Sequence, residues 1–278
     1  RLELEYPTTA SAAITGLPVE RVLAVAGKGE FPAKGILTAN AQVSGTPDNP
    51  QGSGDFSLSK AVLYDEPLDQ VRASLTYTGQ LIEIPSLQIS AGSNHIDFNG
   101  SFAHPKDDFE DGNVRFHVAS NQIQLAQLKA LQKQRPGLAG ILQVDADGSA
   151  TLKKTKEAPQ VLISNLNANL AATGIELNKK QFGDLTAKAS TQGQNLIFNI
   201  DSDFAKAAIH GTGQAQLTGD YPLTAQLTFS NVTYSGLQPF LGVQSSGFRP
   251  GFEALADGSV TIKGPALKPD DMTGDLRD

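Results

Sequence analysis

The amino-acid sequence predicts an all-β fold: an elongated, open, antiparallel sheet built from repeats, apolar on one face and polar on the other, with three short helices. Three observations predict it. Apolar and polar residues alternate with a period of two through most of the chain. Gly, Asn, Asp and Pro clusters cut these runs at short intervals, as turns require. Two sequence blocks recur at one fixed separation.

The first element that breaks the alternation is a helix near 18–26. Val19, Val22, Leu23 and Ala26 follow the i, i+3, i+4, i+7 spacing, with Pro18 at the first helical position and Gly27 past the end. Strands follow. Val71, Ala73, Leu75 and Tyr77 alternate with Arg72, Ser74, Thr76 and Thr78. Ile96, Phe98 and Phe102 share one parity, with Asp97, Asn99 and Ser101 on the other; Val114, Phe116 and Val118 continue the pattern. A second helix, near 124–134, carries Leu125, Leu128 and Leu131 and is stopped by Pro136 and Gly137. Further strands carry Leu185, Ala187 and Ala189, then Leu196, Phe198 and Ile200, then Leu223, Ala225, Leu227 and Phe229. Leu237, Phe240 and Leu241 mark a third helix near 236–242. One-sided strands of this kind belong to antiparallel meanders rather than to buried parallel sheets.

Ser120-Asn121 precedes the second helix and Ser230-Asn231 the third, a separation of 230 minus 120, or 110. Ala146-Asp147-Gly148-Ser149-Ala150-Thr151-Leu152-Lys153 and Ala256-Asp257-Gly258-Ser259-Val260-Thr261-Ile262-Lys263 stand 256 minus 146, again 110, apart. A looser copy runs from Pro32 to Gly45. The repeat divides the chain into the end of one unit (1–17), two units (18–123 and 124–235) and the start of another (236–278), joined as one sheet. Its edges are expected near 2–6 and 258–264. The helical leucines are expected to pack on the apolar edge of the sheet. The chain starts at Arg1 and stops at Asp278 in mid-pattern, and is expected to be an internal stretch of a longer protein.

Composition excludes several function classes. Lys plus Arg is 22 against Asp plus Glu 29, a net charge of −7, and the cations form no stripe, so no nucleic-acid partner is expected. Cysteine is absent, which removes disulfides, thiolate metal sites and cysteine nucleophiles. His95, His104, His117 and His210 share no ligand spacing, so neither a metal, a cofactor nor a catalytic site is expected. Asp107, Asp108, Glu110 and Asp111 read as a solvated hairpin loop. Asp145, Asp147 and Ser149 fail as a calcium loop because Ala150 stands where Gly is obligatory. Gly211-Thr212-Gly213 lacks the third Gly and the following helix of a dinucleotide site.

The order of a Ser-Asn pair, a Leu-rich helix (Ile123, Leu125, Ala126, Leu128), Arg135-Pro136-Gly137-Leu138-Ala139-Gly140 and a Gly-Ser-Ala-Thr-Leu strand resembles a known family. So does Gly45-Thr46-Pro47-Asp48-Asn49-Pro50-Gln51-Gly52, followed by Phe56, Leu58, Ala61, Val62, Tyr64, Pro67 and Leu68. The pattern is similar to the periplasmic repeat region of AsmA-like proteins of the translocation and assembly module (TamB) type. The resemblance implies a sheet curled into an apolar trough, a β-taco. It also implies a periplasmic location in a Gram-negative bacterium, within a protein anchored in the inner membrane. The implied partners are phospholipid acyl chains in the trough and, through a region outside this chain, an outer-membrane barrel protein of the TamA type. The lipid-groove residues would be Val71, Ala73, Leu75, Tyr77, Ile96, Phe98, Phe102, Val114, Phe116, Val118, Leu185, Ala187, Leu196, Phe198, Ile200, Leu223, Leu227 and Phe229.

The residues alone leave other readings open. Alternating apolar positions also build an ordinary sandwich core, although a sandwich has no reason to repeat in register. A scaffold that receives client strands by β-augmentation, and a purely structural β-repeat protein, share the same pattern.

Overall fold

The computed structural model describes residues 8–25, 27, 29–46, 49–106, 108–155, 160–237 and 255–277. Strand accounts for 72% of the chain, which leaves no room for a helical layer. In order, β1 (Thr8–Pro18) leads into α1 (Val19–Val25), then β2 (Ala33–Thr46), β3 (Asn49–Leu63), β4 (Glu66–Leu68), β5 (Gln70–Thr78), β6 (Leu81–Ala91), β7 (Asn94–Ala103) and β8 (Gly112–Ser120). β9 (Ile123–Gln124), a 3-10 turn (Leu125–Gln127) and α2 (Lys129–Gln134) precede β10 (Leu138–Lys153). β11 (Gln160–Leu177), β12 (Lys180–Gln192), β13 (Asn195–Ser202), β14 (Ala208–Gln216) and β15 (Pro222–Thr233) follow. The chain then forms α3 (Tyr234–Leu237), β16 (Leu255–Pro265) and β17 (Thr273–Arg277).

All the strands belong to one antiparallel sheet of 17 strands that is not closed. The fold class read from the sequence, an open all-β sheet with three short helices, is therefore the observed one. Contacts divide the chain into two compact units, 1–134 with 145–163, and 135–144 with 164–278. In the first, β1, β2, β3, β5, β6, β7, β8 and β10 pair in succession, with β4 on the end of β3. In the second, β11 to β17 pair in chain order.

One-residue bulges keep the apolar residues on one face. A period of two sends every side chain to the wrong face if the register slips by one. Five strands carry such a parity change in sequence, and each holds a bulge there. Ile14 gives way to Leu17, Leu58 to Ala61, Ile84 to Leu87, Ala172 to Ile175 and Phe229 to Val232, with the register shifting at each step. Four of these bulges contain a residue at positive φ: Gly16 at 75°, Lys60 at 51°, Gly174 at 59° and Asn231 at 57°. The fifth, in β6, contains Pro85, which has no N–H to give to a ladder.

The helices depart from expectation in detail. α1 buries Val19 and half-buries Leu23, while Val22 and Val25 are exposed. The predicted helix over 124–134 is two pieces, because Leu128 is extended (φ −77°, ψ 105°). The Glu66 carboxylate accepts the Ala130 N–H at 2.7 Å and so starts a new helix there, while the Leu125 carbonyl accepts both the Leu128 N–H and Gln132 Nε2, each at 3.2 Å. Leu125, Leu128 and Leu131 are half-buried. The part of the third helix beyond Leu237, including Phe240, lies outside the described residues, as does the expected edge at 2–6. The strand expected as the other edge, 258–264, is not one: β17 pairs along the outer side of β16. Thr273-Gly274-Asp275-Leu276-Arg277 carries a single large apolar residue, too little alternation to read as a strand.

Among the described residues, full burial of large side chains is scarce, and the buried strand residues are small: Ala39, Ala61, Ala146, Ala150, Ala172 and Ala215. Among the described residues, Phe182, at 1% exposure, is the large side chain that is fully buried, stacked on Phe204 with centroids 5.4 Å apart. Ala207 and Gly236 are buried near it, and Val19, Ile123 and Asn94 are buried in the first unit. The large apolar side chains of the central strands are for the most part only partly buried.

Tyr221, 8% exposed in the turn between β14 and β15, is one exception. Burial pushes its phenol pKa up. A raised value means that its share of stability is complete below the ordinary tyrosine pKa of about 10 and is lost as pH rises through the folded value. An absorbance titration should show a late tyrosinate component that disappears in Tyr221→Phe.

Candidate functional site: an apolar sheet face

The sequence places one apolar residue in every two, and the register lines these residues up across strands. In the first unit, Ala39 (β2) pairs with Phe56 (β3), and then Ala73 (β5), Leu87 (β6), Phe98 (β7), Val118 (β8) and Ala146 (β10) follow by direct pairing. A parallel row runs Tyr77, Ile82, Phe102, Val114 and Ala150. In the second unit, Ala168, Ala189, Phe198, Gly213, Ala225, Ile262 and Gly274 form one row. Leu170, Ala187, Ile200, Gly211, Leu227, Val260 and Leu276 form the next, and Leu185, Ser202, Ile209 and Phe229 continue beside it. No Asp, Glu, Lys or Arg stands in these rows. At about 4.8 Å per strand, the row from Ala39 to Ala146 spans on the order of 29 Å.

Every groove residue named from the sequence lies on this face. Val71, Ala73 and Tyr77 on β5, Ile96, Phe98 and Phe102 on β7, and Val114, Phe116 and Val118 on β8 come together in the first unit. Leu75 joins them opposite Gly54, facing the β6 bulge. Leu185, Ala187, Leu196, Phe198, Ile200, Leu223, Leu227 and Phe229 come together in the second. All of them are half-buried: none is sealed and none is fully exposed. A sandwich core would bury them, and among the described residues there is no second sheet.

Phenylalanine rings lie across glycines on this face. A Cβ added to Gly54, Gly100 or Gly258 would come within 3.0 Å of the ring of Phe56, Phe98 or Phe229 respectively, and one on Gly213 would run into Phe198. Phe116 pairs with Gly100 on one side and Gly148 on the other. The rings restore contacts that glycine lacks and level the surface. Sequence reading missed these positions because glycine carries no hydropathy signal. It also missed Ile82, Ile84, Leu87 and Ile89, whose parity changes within β6.

The opposite face is a polar network. Ser74 Oγ donates to Asp55 Oδ1 at 2.7 Å, Thr76 Oγ1 to Glu83 Oε2 at 3.1 Å, and Gln88 Nε2 to Asp97 Oδ1 at 3.1 Å. His210 Nδ1 lies 2.5 Å from Asp201 Oδ1, and this hydrogen bond holds the Asp201 carboxyl below the ordinary range. Both side chains are more than half exposed, so the pair is solvated. A concavity of about 540 Å³ beside it is lined by Asp184, Asp203, Thr228 and Phe229 among others. Asp184 and Asp203 there spend carboxylate oxygens on the backbone N–H groups of Gly174 and Asp184.

The remaining sequence candidates fall apart spatially. His95 pairs with Asp97, and no group of three His, Cys, Asp or Glu among the described residues could hold a metal. In the acidic loop, Asp108 Oδ1 accepts the N–H groups of Glu110 and Asp111, which hold its carboxyl low, and Glu110 pairs with Lys154. Asp145, Asp147 and Ser149 lie along strand β10, and Gly211 and Gly213 along strand β14. Comparison with protein-family models, with curated proteins and with solved structures finds no match to this chain.

Proposed function

We propose that this chain is a lipid-conducting segment of an AsmA-like protein of the TamB type, moving phospholipid across the periplasm on its apolar face. The observation that carries the proposal is the set of uncharged rows that cross strand after strand with their large side chains on β5–β8 and β12–β15 only partly buried. Acyl chain is the ligand such a face fits, because it asks for area and for no hydrogen bonds. Removing one CH₂ from water gains about 0.8 kcal/mol, so a chain of 16 carbons gains on the order of 13 kcal/mol. That cost makes free aqueous transfer slow. A face of uniform polarity is nearly level in energy from row to row, so it conducts without pumping. The barrel partner, the inner-membrane anchor and the energy source belong to regions other than this face.

Mass spectrometry of organic extracts from the purified protein tests the proposal. Phospholipid at close to stoichiometric amounts is expected. Protein that carries no lipid but retains segments of barrel strands would favour the scaffold reading instead.

A further inference from the structure

Among the described residues, His104 is the one side chain with a buried polar atom that has no hydrogen-bond partner, and it lies against the apolar face. It is 4% exposed, follows β7 directly, and is fixed by its N–H to the Gln80 carbonyl at 2.9 Å. Its ring stacks on Tyr77 (6.0 Å, 4°) and Phe102 (5.4 Å, 27°), two members of the outermost apolar row, and Phe109 lies against it at 4.3 Å. Nδ1 stands 2.8 Å from the Pro105 carbonyl oxygen, which can only accept, so Nδ1 carries the proton. In the neutral ring Nε2 is then a lone-pair acceptor, and it has no partner among the described residues. A buried acceptor left unpaired is costly.

We propose that His104 and the rings around it recognise the ammonium group of a phospholipid headgroup at the rim of the apolar face. The proposal rests on the acyl-groove reading and names the headgroup that goes with it. Three features select a cation that donates hydrogen bonds. Nε2 accepts; the faces of Tyr77 and Phe102 attract positive charge; and the Asp108 carboxylate is carried next to Phe109, the ring that lies against His104. A bare phosphate or carboxylate meets a lone pair and an acidic loop, and is disfavoured. The row Tyr77, Ile82, Phe102, Val114, Ala150 starts at this point, so the tails extend along it while the headgroup stays at the rim. Phe109, 57% exposed, is the ring that moves aside to admit the ammonium.

The full chain, stripped of lipid, is incubated with vesicles of equal parts phosphatidylethanolamine and phosphatidylglycerol, and the bound lipid is weighed by native mass spectrometry. The wild type should prefer the ethanolamine lipid by about tenfold, the worth of one hydrogen bond to a charged group. His104→Phe keeps the stacking and removes the acceptor: the preference should vanish while total lipid stays the same. Phe109→Ala should keep or raise the preference. Equal binding of both lipids by the wild type, or an unchanged preference in His104→Phe, overturns the proposal. If the wild type binds neither lipid, the acyl-groove reading fails by itself. Titration with O-phosphoethanolamine then decides on His104, whose Nε2 nitrogen resonance moves if the site exists and stays still if it does not.

Discussion

Phe182→Ala is expected to lower stability by about 3–5 kcal/mol, the range for deleting a fully buried aromatic ring. Phe182 is 1% exposed, stacks on Phe204 and lies under Lys180 Nζ at 5.4 Å from the ring centroid. Around it, the turn at Phe204–Lys206 and α3 close the ends of β12 and β15, so its loss leaves a cavity that strand ends cannot collapse into. Phe198→Ala is the matched control. That ring is only partly buried, so its removal should cost less, about 1–2 kcal/mol by the area it covers. Urea denaturation of both variants gives the comparison. Equal losses would mean that the face is a sealed core.

Leu227→Asp should separate folding from function more sharply. Leu227 pairs with Gly211 on β14 and Val260 on β16, in the middle of an uncharged row. In a closed core, an unpaired carboxylate costs several kcal/mol and unfolds the domain. On a half-exposed face water reaches it, so the loss should stay near 1–2 kcal/mol, mostly the leucine's own contacts. Acyl chains crossing that row must then pass a hydrated charge, and lipid bound per protein should fall by at least about tenfold, the effect of 1.4 kcal/mol. Leu75→Asp tests the same point in the first unit. A variant that folds and still carries a full complement of lipid would show that the rows are not the path.

How much of this was legible in the sequence depends on where the period of two was unbroken. Val71 to Tyr77 and Leu223 to Phe229 read cleanly because no bulge interrupts them. β6 did not, since Ile82 and Ile84 sit one parity away from Leu87 and Ile89; the Pro85 between them was the available signal. The glycines under phenylalanine rings were silent for a different reason, as their contribution is space. The 110-residue repeat was real as a sequence pattern, yet its copies do not do the same work. Asn121 follows β8 and its side chain bonds the His95 N–H and the Ser93 carbonyl, whereas Asn231 sits inside β15 at positive φ. The repeated blocks do agree in placing Gly148 opposite Phe116 and Gly258 opposite Phe229. A further signal went unread: Gly35-Ile36-Leu37 recurs as Gly140-Ile141-Leu142, each glycine at positive φ and packed against a bulge of the next strand. The second helix was misread because its leucines fit a continuous stripe, while the cap that splits it, Glu66, comes from far away in sequence.

Photo-crosslinking inside cells tests the central claim most directly. A photoreactive residue is placed at position 75 or 227 on the apolar face, or at position 76 on the polar face, where Thr76 bonds Glu83. Positions 75 and 227 should capture phospholipid and position 76 should not. Equal capture at all three, or capture at none, would contradict conduction of lipid along the apolar face.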